Sequence, residues 1–391
     1  MANKQDGNKQ IELLNLEDLN DLTKHPREKQ KPALESKNTE ASASVFGWEF
    51  QIVAGITLSL KNIKDLKYVE IEGSTEDIEL YFERKEPEYI QAKSVHQNPL
   101  DAKDAYKATL AMNTLINTSN ITKGKYSKLV YVSNLRNPLS LTNALLEASW
   151  VPNMGAVFTR SYQDLPVQAK KFIDKRIKKA QEQLKKYNYL SSKDYFDLNK
   201  LYVTTILFDP DRNDEHRYSV LEGTLQALFE SAKIKQSRSK ISHIRNLLLT
   251  HYLSNASSDV SSKKHVKLTK EMLVWRIIFE LINEVPEEFY EEIPSGIDSE
   301  LDKYTDDFIK EQAERIGVIN KITSGLVKFT TEKRITKAIL RDFVTKKWKD
   351  YRDLFPLDED PDVQEYGIKL LMVRILNGKN VIAKFRKETR V

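Results

Sequence analysis

The chain contains no cysteine, which excludes disulfides, thiolate nucleophiles, iron–sulfur clusters and Cys-ligated zinc. Histidine is scarce as well. The six, at 25, 96, 216, 243, 251 and 265, form no HExxH or similar pair, so a zinc hydrolase is not expected. No apolar run approaches the roughly 20 residues of a membrane-spanning helix. The opening MANKQDGNKQ lacks the apolar segment of a signal peptide, so a cytoplasmic location without membrane association is expected. Only 12 Gly and 12 Pro punctuate the 391 residues; with 40% hydrophobic and 30% charged residues, this is the composition of a helix-rich globular protein. With cysteine and paired histidine absent, any metal must be held by oxygen, which favours Mg²⁺ or Mn²⁺.

The length suggests two domains, since single cores usually span about 100–200 residues. Residues 1–44 read as a polar arm carrying one short amphipathic helix, IELLNLEDLNDL (11–22). From Val45 the apolar positions of VFGWEFQIVAGITLSLKNI recur at helical spacing, which predicts a buried first helix. Three strands follow over 66–73, 77–83 and 88–95, then a helix over 101–118 and a strand over 128–134. A helix near 166–187 and a strand over 201–209 complete a mixed α/β sheet flanked by helices, expected to span 45–215. Residues 216–391 read as an all-helical domain, with helices over 219–235, 239–255, 269–284, 299–316, 332–352 and 362–377.

The net charge of +5 says less about partners than the local distribution does. Residues 170–186 carry Lys170, Lys171, Lys175, Arg176, Lys178, Lys179, Lys185 and Lys186 against Asp174 and Glu182, a candidate phosphate-contacting helix or a solvated face. Lys235, Arg238 and Lys240 form a smaller basic group open to the same two readings. The acidic stretch 284–307 would repel DNA and suits a linker, a partner surface or a cover for the basic region.

Side chains alternate faces along a strand, so in DIELYF the residues Asp77, Glu79 and Tyr81 point away from the face of Ile78, Leu80 and Phe82. In EYIQAK the same rule separates Tyr89, Gln91 and Lys93 from Ile90 and Ala92. If the apolar faces align, Asp77, Gln91 and Lys93 converge as a carboxylate, an amide and an ammonium. Phosphodiester hydrolysis calls for such a set: oxygen ligands for a divalent ion, and a cation to position water or neutralise developing charge. Alternation alone favours an ordinary solvated sheet face.

An acidic residue followed about a dozen positions later by (D/E/Q)xK is similar to the PD-(D/E)xK nuclease signature, here Asp77 with Gln91-Ala92-Lys93. Together with FGWEFQ (46–51), EIEGSTEDIEL (70–80), YIQAK (89–93) and YVSN (131–134), residues 45–215 resemble the double-strand DNA endonuclease domain of bacterial antiphage effectors. That domain occurs in CBASS effectors and in the nuclease subunit of Lamassu systems. The resemblance implies a restriction-endonuclease-like fold and Mg²⁺ or Mn²⁺ as cofactor. In it Asp77 is the main metal ligand, Gln91 the second ligand and Lys93 the catalytic lysine, with Glu49 or Gln51 contributing from the first helix and Glu72 as a weaker candidate. Gln91 stands where many such nucleases place a carboxylate, which implies weaker metal binding in the absence of DNA phosphate. His96, three residues after Lys93, is either a substrate contact or a structural loop residue.

The wholly helical second half lacks the strands expected of a cyclic-oligonucleotide sensor, which favours the Lamassu-type arrangement over the CBASS one. The resemblance then implies double-stranded DNA as substrate, an SMC-like ATPase and a small third subunit as partners, and self-association when active. ATP hydrolysis would belong to the partner, because this chain has no GxxxxGK loop. The alternatives are a nuclease triggered by a cyclic oligonucleotide and a non-catalytic DNA-binding or scaffolding subunit.

Overall fold

Helix α1 (Ser36–Lys61) starts inside the expected polar arm and buries Phe50, Ile52, Val53, Ala54 and Ile56 against the sheet. The structure, a computed structural model, describes residues 36–186, 195–210, 214–258, 267–282, 301, 316–330, 335–354 and 360–391. The expected amphipathic helix at 11–22 lies outside them, as do nearly all of the acidic stretch 284–307 and of the expected helix at 299–316. Gly55 sets how closely α1 packs: a Cβ there would come within 2.3 Å of Ile71 Cδ1.

Strands β1 (Leu66–Ile71), β2 (Ile78–Phe82) and β3 (Glu88–Lys93) form the antiparallel meander expected from their alternation. Between β1 and β2 the chain turns through Glu72, whose φ of 52° is left-handed and whose amide donates to the Asp77 carbonyl at 2.8 Å. Helix α2 (Ala105–Ile121) then returns the chain to β4 (Lys128–Ser133), parallel to β3. Short α3 (Asn143–Ser149) and strand β5 (Phe158–Ser161) precede the basic helix α4 (Val167–Lys186) and β6 (Leu201–Thr205), which is parallel to β4 and antiparallel to β5. α3 and β5 carried no periodicity signal in the sequence, being only seven and four residues long.

After β6 come α5 (Asp214–Arg217), α6 (Ser219–Ser231) and α7 (Arg238–Ser258). A two-residue strand β7 (Leu268–Thr269) leads into α8 (Lys270–Leu281), followed by α9 (Ile316–Phe329), α10 (Lys337–Lys347) and α11 (Pro361–Thr389). β7 corrects the all-helical expectation for the second half. It pairs with β1 and extends the sheet to seven strands in the order β5-β6-β4-β3-β2-β1-β7.

The two sheet faces carry separate cores. Ile78, Leu80, Ile90, Ala92, Val130 and Val132 meet α1 and the C-terminal helices, whereas Tyr89, Leu129, Tyr131, Leu201 and Val203 meet α2 and α4. Contacts divide the chain into Met1–Ser42 and Ala43–Val391, so packing continues across the boundary expected near 216. The physical reason lies in α8. Leu273, Val274, Trp275, Ile277, Ile278 and Phe279 are buried on every side of the helix, and α8 therefore needs apolar neighbours both in β1 and among the C-terminal helices. Among the described residues no helix is long and apolar enough to cross a membrane.

Candidate active site

β3, β4 and β6 run parallel, so their carboxyl ends share one edge of the sheet, the edge where α/β folds place ligand crevices. Lys93 ends β3 there. β2 runs the other way, so Asp77, just before its first residue, arrives at the same edge. Ile78 pairs with Ile90 and Glu79 with Tyr89, and one further step sets Asp77 opposite Gln91. The Gln91 amide donates a short hydrogen bond to Asp77 Oδ2, the Ala92 amide donates to the same oxygen at 3.0 Å, and Lys93 Nζ lies 3.8 Å from it. The Gln51 amide donates to the Asp77 carboxylate from α1. All three residues of the expected constellation therefore meet, and Gln51 joins them.

Glu49 does not. It accepts a short hydrogen bond from the Tyr218 hydroxyl and pairs with Arg217 at 3.5 Å. Gln51 is two positions further along, an i, i+2 spacing that puts helical side chains on different faces, so one turn of α1 cannot aim both at Asp77. Gly47, Gln51 and Gly55 instead lie at i, i+4 and i+8, and this is the row that faces the strand ends; a Cβ on Gly47 would lie 3.7 Å from Ser94 Oγ.

The polar face is not solvated. Gln91 is 2% exposed, and the side chains of Asp77 and Lys93 are 16% and 21% exposed. Burial pushes the Asp77 carboxyl above its ordinary value, while Lys93 and the bonds from Ala92, Gln51 and Gln91 pull it back. Glu72 is raised by burial and then by the Asp77 charge, against the pull of Lys93. Glu76 is held well above its ordinary value by burial and by Asp77, although Thr118 donates to its Oε1 at 2.6 Å. Glu79, equally buried, belongs to the structure of the turn: its Oε1 accepts from Thr75 N at 2.8 Å and Thr75 Oγ1 at 2.9 Å, and its Oε2 from Tyr81 at 2.6 Å.

No protein-family model, no characterised protein and no solved structure matches this chain. Its site must be judged on its own atoms.

Among the described residues no three His, Asp or Glu groups are arranged to hold a metal ion. The donors present are nevertheless hard oxygens of the kind Mg²⁺ and Mn²⁺ select: the Asp77 carboxylate, the nearby Glu72 carboxylate and the Gln91 amide. Glu76 Oε2 is buried with no partner beside them. A half-turn of the Gln91 amide replaces its Nε2 with Oε1 and converts a donor to Asp77 into a ligand. The residue types fit a divalent ion on that condition.

Of the basic helix α4, Lys171, Lys175, Lys178 and Lys179 are exposed. Lys170 is tied to the Gln163 carbonyl at 2.8 Å, and Arg176 is half-buried over Phe172. Lys235 and Arg238 are exposed, and Lys240 pairs with Glu280 at 3.6 Å. His96 is exposed with its ring edge against Phe46, at 5.1 Å between centroids. Two residues to which the sequence reading gave no role of their own also belong to this edge. Fully buried Asn134 accepts from Val95 N at 2.9 Å and donates to the carbonyls of Val95 and Phe208 at 3.0 Å, binding together the chain beyond β3, β4 and β6. Lys107, in the first turn of α2, lies close enough to Lys93 for their charges to interact. A polar residue directly after a buried strand is the signal that marks Asn134; nothing in the sequence marks Lys107.

Proposed function

We propose that this chain is a divalent-metal-dependent endonuclease for double-stranded DNA, with a restriction-endonuclease-like core centred on Asp77, Gln91 and Lys93. The observation that carries this reading is the meeting of carboxylate, amide and ammonium at the carboxyl edge of the parallel strands, with Gln51 gripping the carboxylate from α1. Asp77, with Gln91 turned to present its oxygen and Glu72 nearby, would hold Mg²⁺ or Mn²⁺, which supplies charge to polarise the phosphate and acidify an attacking water. Ala92 N and Gln51 fix the Asp77 carboxylate in place. Lys93, near Asp77 without being hydrogen-bonded to it, neutralises charge that develops on the phosphate or positions the water.

The antiphage setting rests on the resemblance of residues 45–215. It brings with it an SMC-like ATPase and a small third subunit as partners, self-association so that two sites face opposite strands, and a restraining or assembling role for 216–391. One observation favours a second reading, a DNA-binding subunit that does not cut: Asp77 Oδ2 already accepts from Gln91 and Ala92. The test is to purify the chain alone and with the products of neighbouring genes, and to assay both on linear and circular DNA with Mg²⁺. Cleavage only in the presence of partners supports a restrained nuclease, and cleavage by the isolated chain keeps the nuclease but removes the restraint. Binding without cleavage in every combination establishes the second reading.

A further inference from the structure

We infer that Lys107 is a phosphate-binding residue that holds the DNA backbone between Lys93 and the exposed lysines of α4, an inference that rests on the nuclease reading. A helix joining two adjacent parallel strands runs back along them, so the first turn of α2 lies at the edge where β3 ends in Lys93. Lys107 is in that turn, half-buried, and its amide is fixed by the capping carboxylate of Asp104 at 3.0 Å. Asp104 Oδ1 is taken by the amides of Tyr106 and Lys107, and no ion pair to the Lys107 ammonium forms among the described residues. Burial and then the Lys93 charge hold the ammonium below its ordinary value, while the Asp104 charge pulls it part of the way back.

The neighbouring helix extends this positive region. Arg176 Nη1 donates to Thr109 Oγ1 at 3.5 Å and Asn113 Nδ2 to Gln183 Oε1 at 2.8 Å, so α2 and α4 run side by side in the same direction. The turns of α4 that bear Lys171 and Lys175 therefore flank the opening turns of α2, and Lys178 and Lys179 continue the exposed row. Of the acidic residues on that helix, Asp174 is engaged by the Tyr162 hydroxyl at 2.6 Å. A polyanion crossing from the Asp77 centre to this row passes Lys107 in the opening turn of α2. A phosphate there relieves the repulsion between Lys107 and Lys93, which gives a reason for a half-buried ammonium that forms no ion pair among the described residues.

The test measures binding of a short fluorescent DNA duplex with Ca²⁺ in place of Mg²⁺, across a series of salt concentrations, for wild type, Lys107→Ala, Lys107→Arg and the exposed control Lys103→Ala. Lys107→Ala is expected to weaken binding roughly five- to tenfold near ~0.1 M salt and to lower the salt slope by about one. Lys107→Arg should restore both, and Lys103→Ala should change neither. An unchanged affinity and slope in Lys107→Ala overturns the inference, and so does a loss equal to that of Lys103→Ala. Should Lys107→Ala fold poorly by circular dichroism, Lys107→Gln, which keeps most of the stem, is read in its place. Wild type that binds the duplex yet never cuts with Mg²⁺ defeats the catalytic reading and leaves the Lys107 measurement standing; wild type that binds no duplex overturns both.

Discussion

Asp77 takes hydrogen bonds from Gln51, Gln91 and Ala92 and remains buried enough that its charge is costly. The period-two rule placed Asp77, Gln91 and Lys93 together correctly because it needs only the strand register, and the pairing of Ile78 with Ile90 supplies that. The resemblance left Glu49 and Gln51 as alternatives, since helical periodicity says which stripe is apolar and not which polar residue points at a given strand end. Replacing Gln91 by Glu sets a second carboxylate against Asp77, and the variant should bind Mn²⁺ more tightly than wild type in a titration without DNA. Equal affinities would show that Gln91 does not face the ion. Glu49→Ala should leave any cleavage rate within about twofold of wild type while costing about 1–3 kcal/mol of stability through loss of the hydrogen bond from Tyr218 and the ion pair with Arg217. A large fall in rate with unchanged stability would return Glu49 to the reaction.

At the scale of elements, the long helices and central strands could be read because each repeats its period several times; β5 and β7 could not, because four residues and two do not. Their existence follows from sheet edges needing partners: β5 covers β6, and β7 covers β1. Asn134 ties the ends of β3, β4 and β6 together through three side-chain hydrogen bonds. Asn134→Ala should cost about 2–4 kcal/mol in denaturant unfolding, since it leaves Val95 N and two carbonyls without their partner. The loss should be larger than that of a Ser or Thr truncation on an exposed turn; a change below about 0.5 kcal/mol would mean that the strand ends hold themselves.

For the whole molecule, the order and periodicity of the elements made the α/β class legible but not the shared core, because a helix buried all round gives no sign of which neighbours bury it. One consequence concerns acid. His251 of α7 is 6% exposed, and burial, then the Arg276 charge, lower its pKa from 6.5 to about 3. Between those values the unfolded chain binds a proton that the folded chain refuses, so the stability contribution is complete above pH 6.5 and drains away as pH falls toward 3. His251→Gln should flatten that part of the profile of Tm against pH; an unaltered slope would locate the acid sensitivity elsewhere.

The central claim is that Asp77 and Lys93 cut DNA. Its most direct measurement is the Mg²⁺-dependent rate of plasmid cleavage, taken with and without the neighbouring gene products, for wild type, Asp77→Ala and Lys93→Ala at matched folding by circular dichroism. Each variant is expected to lose at least about a hundredfold while still binding DNA. Cleavage that survives Asp77→Ala, or a wild type that cuts under neither condition, would contradict it.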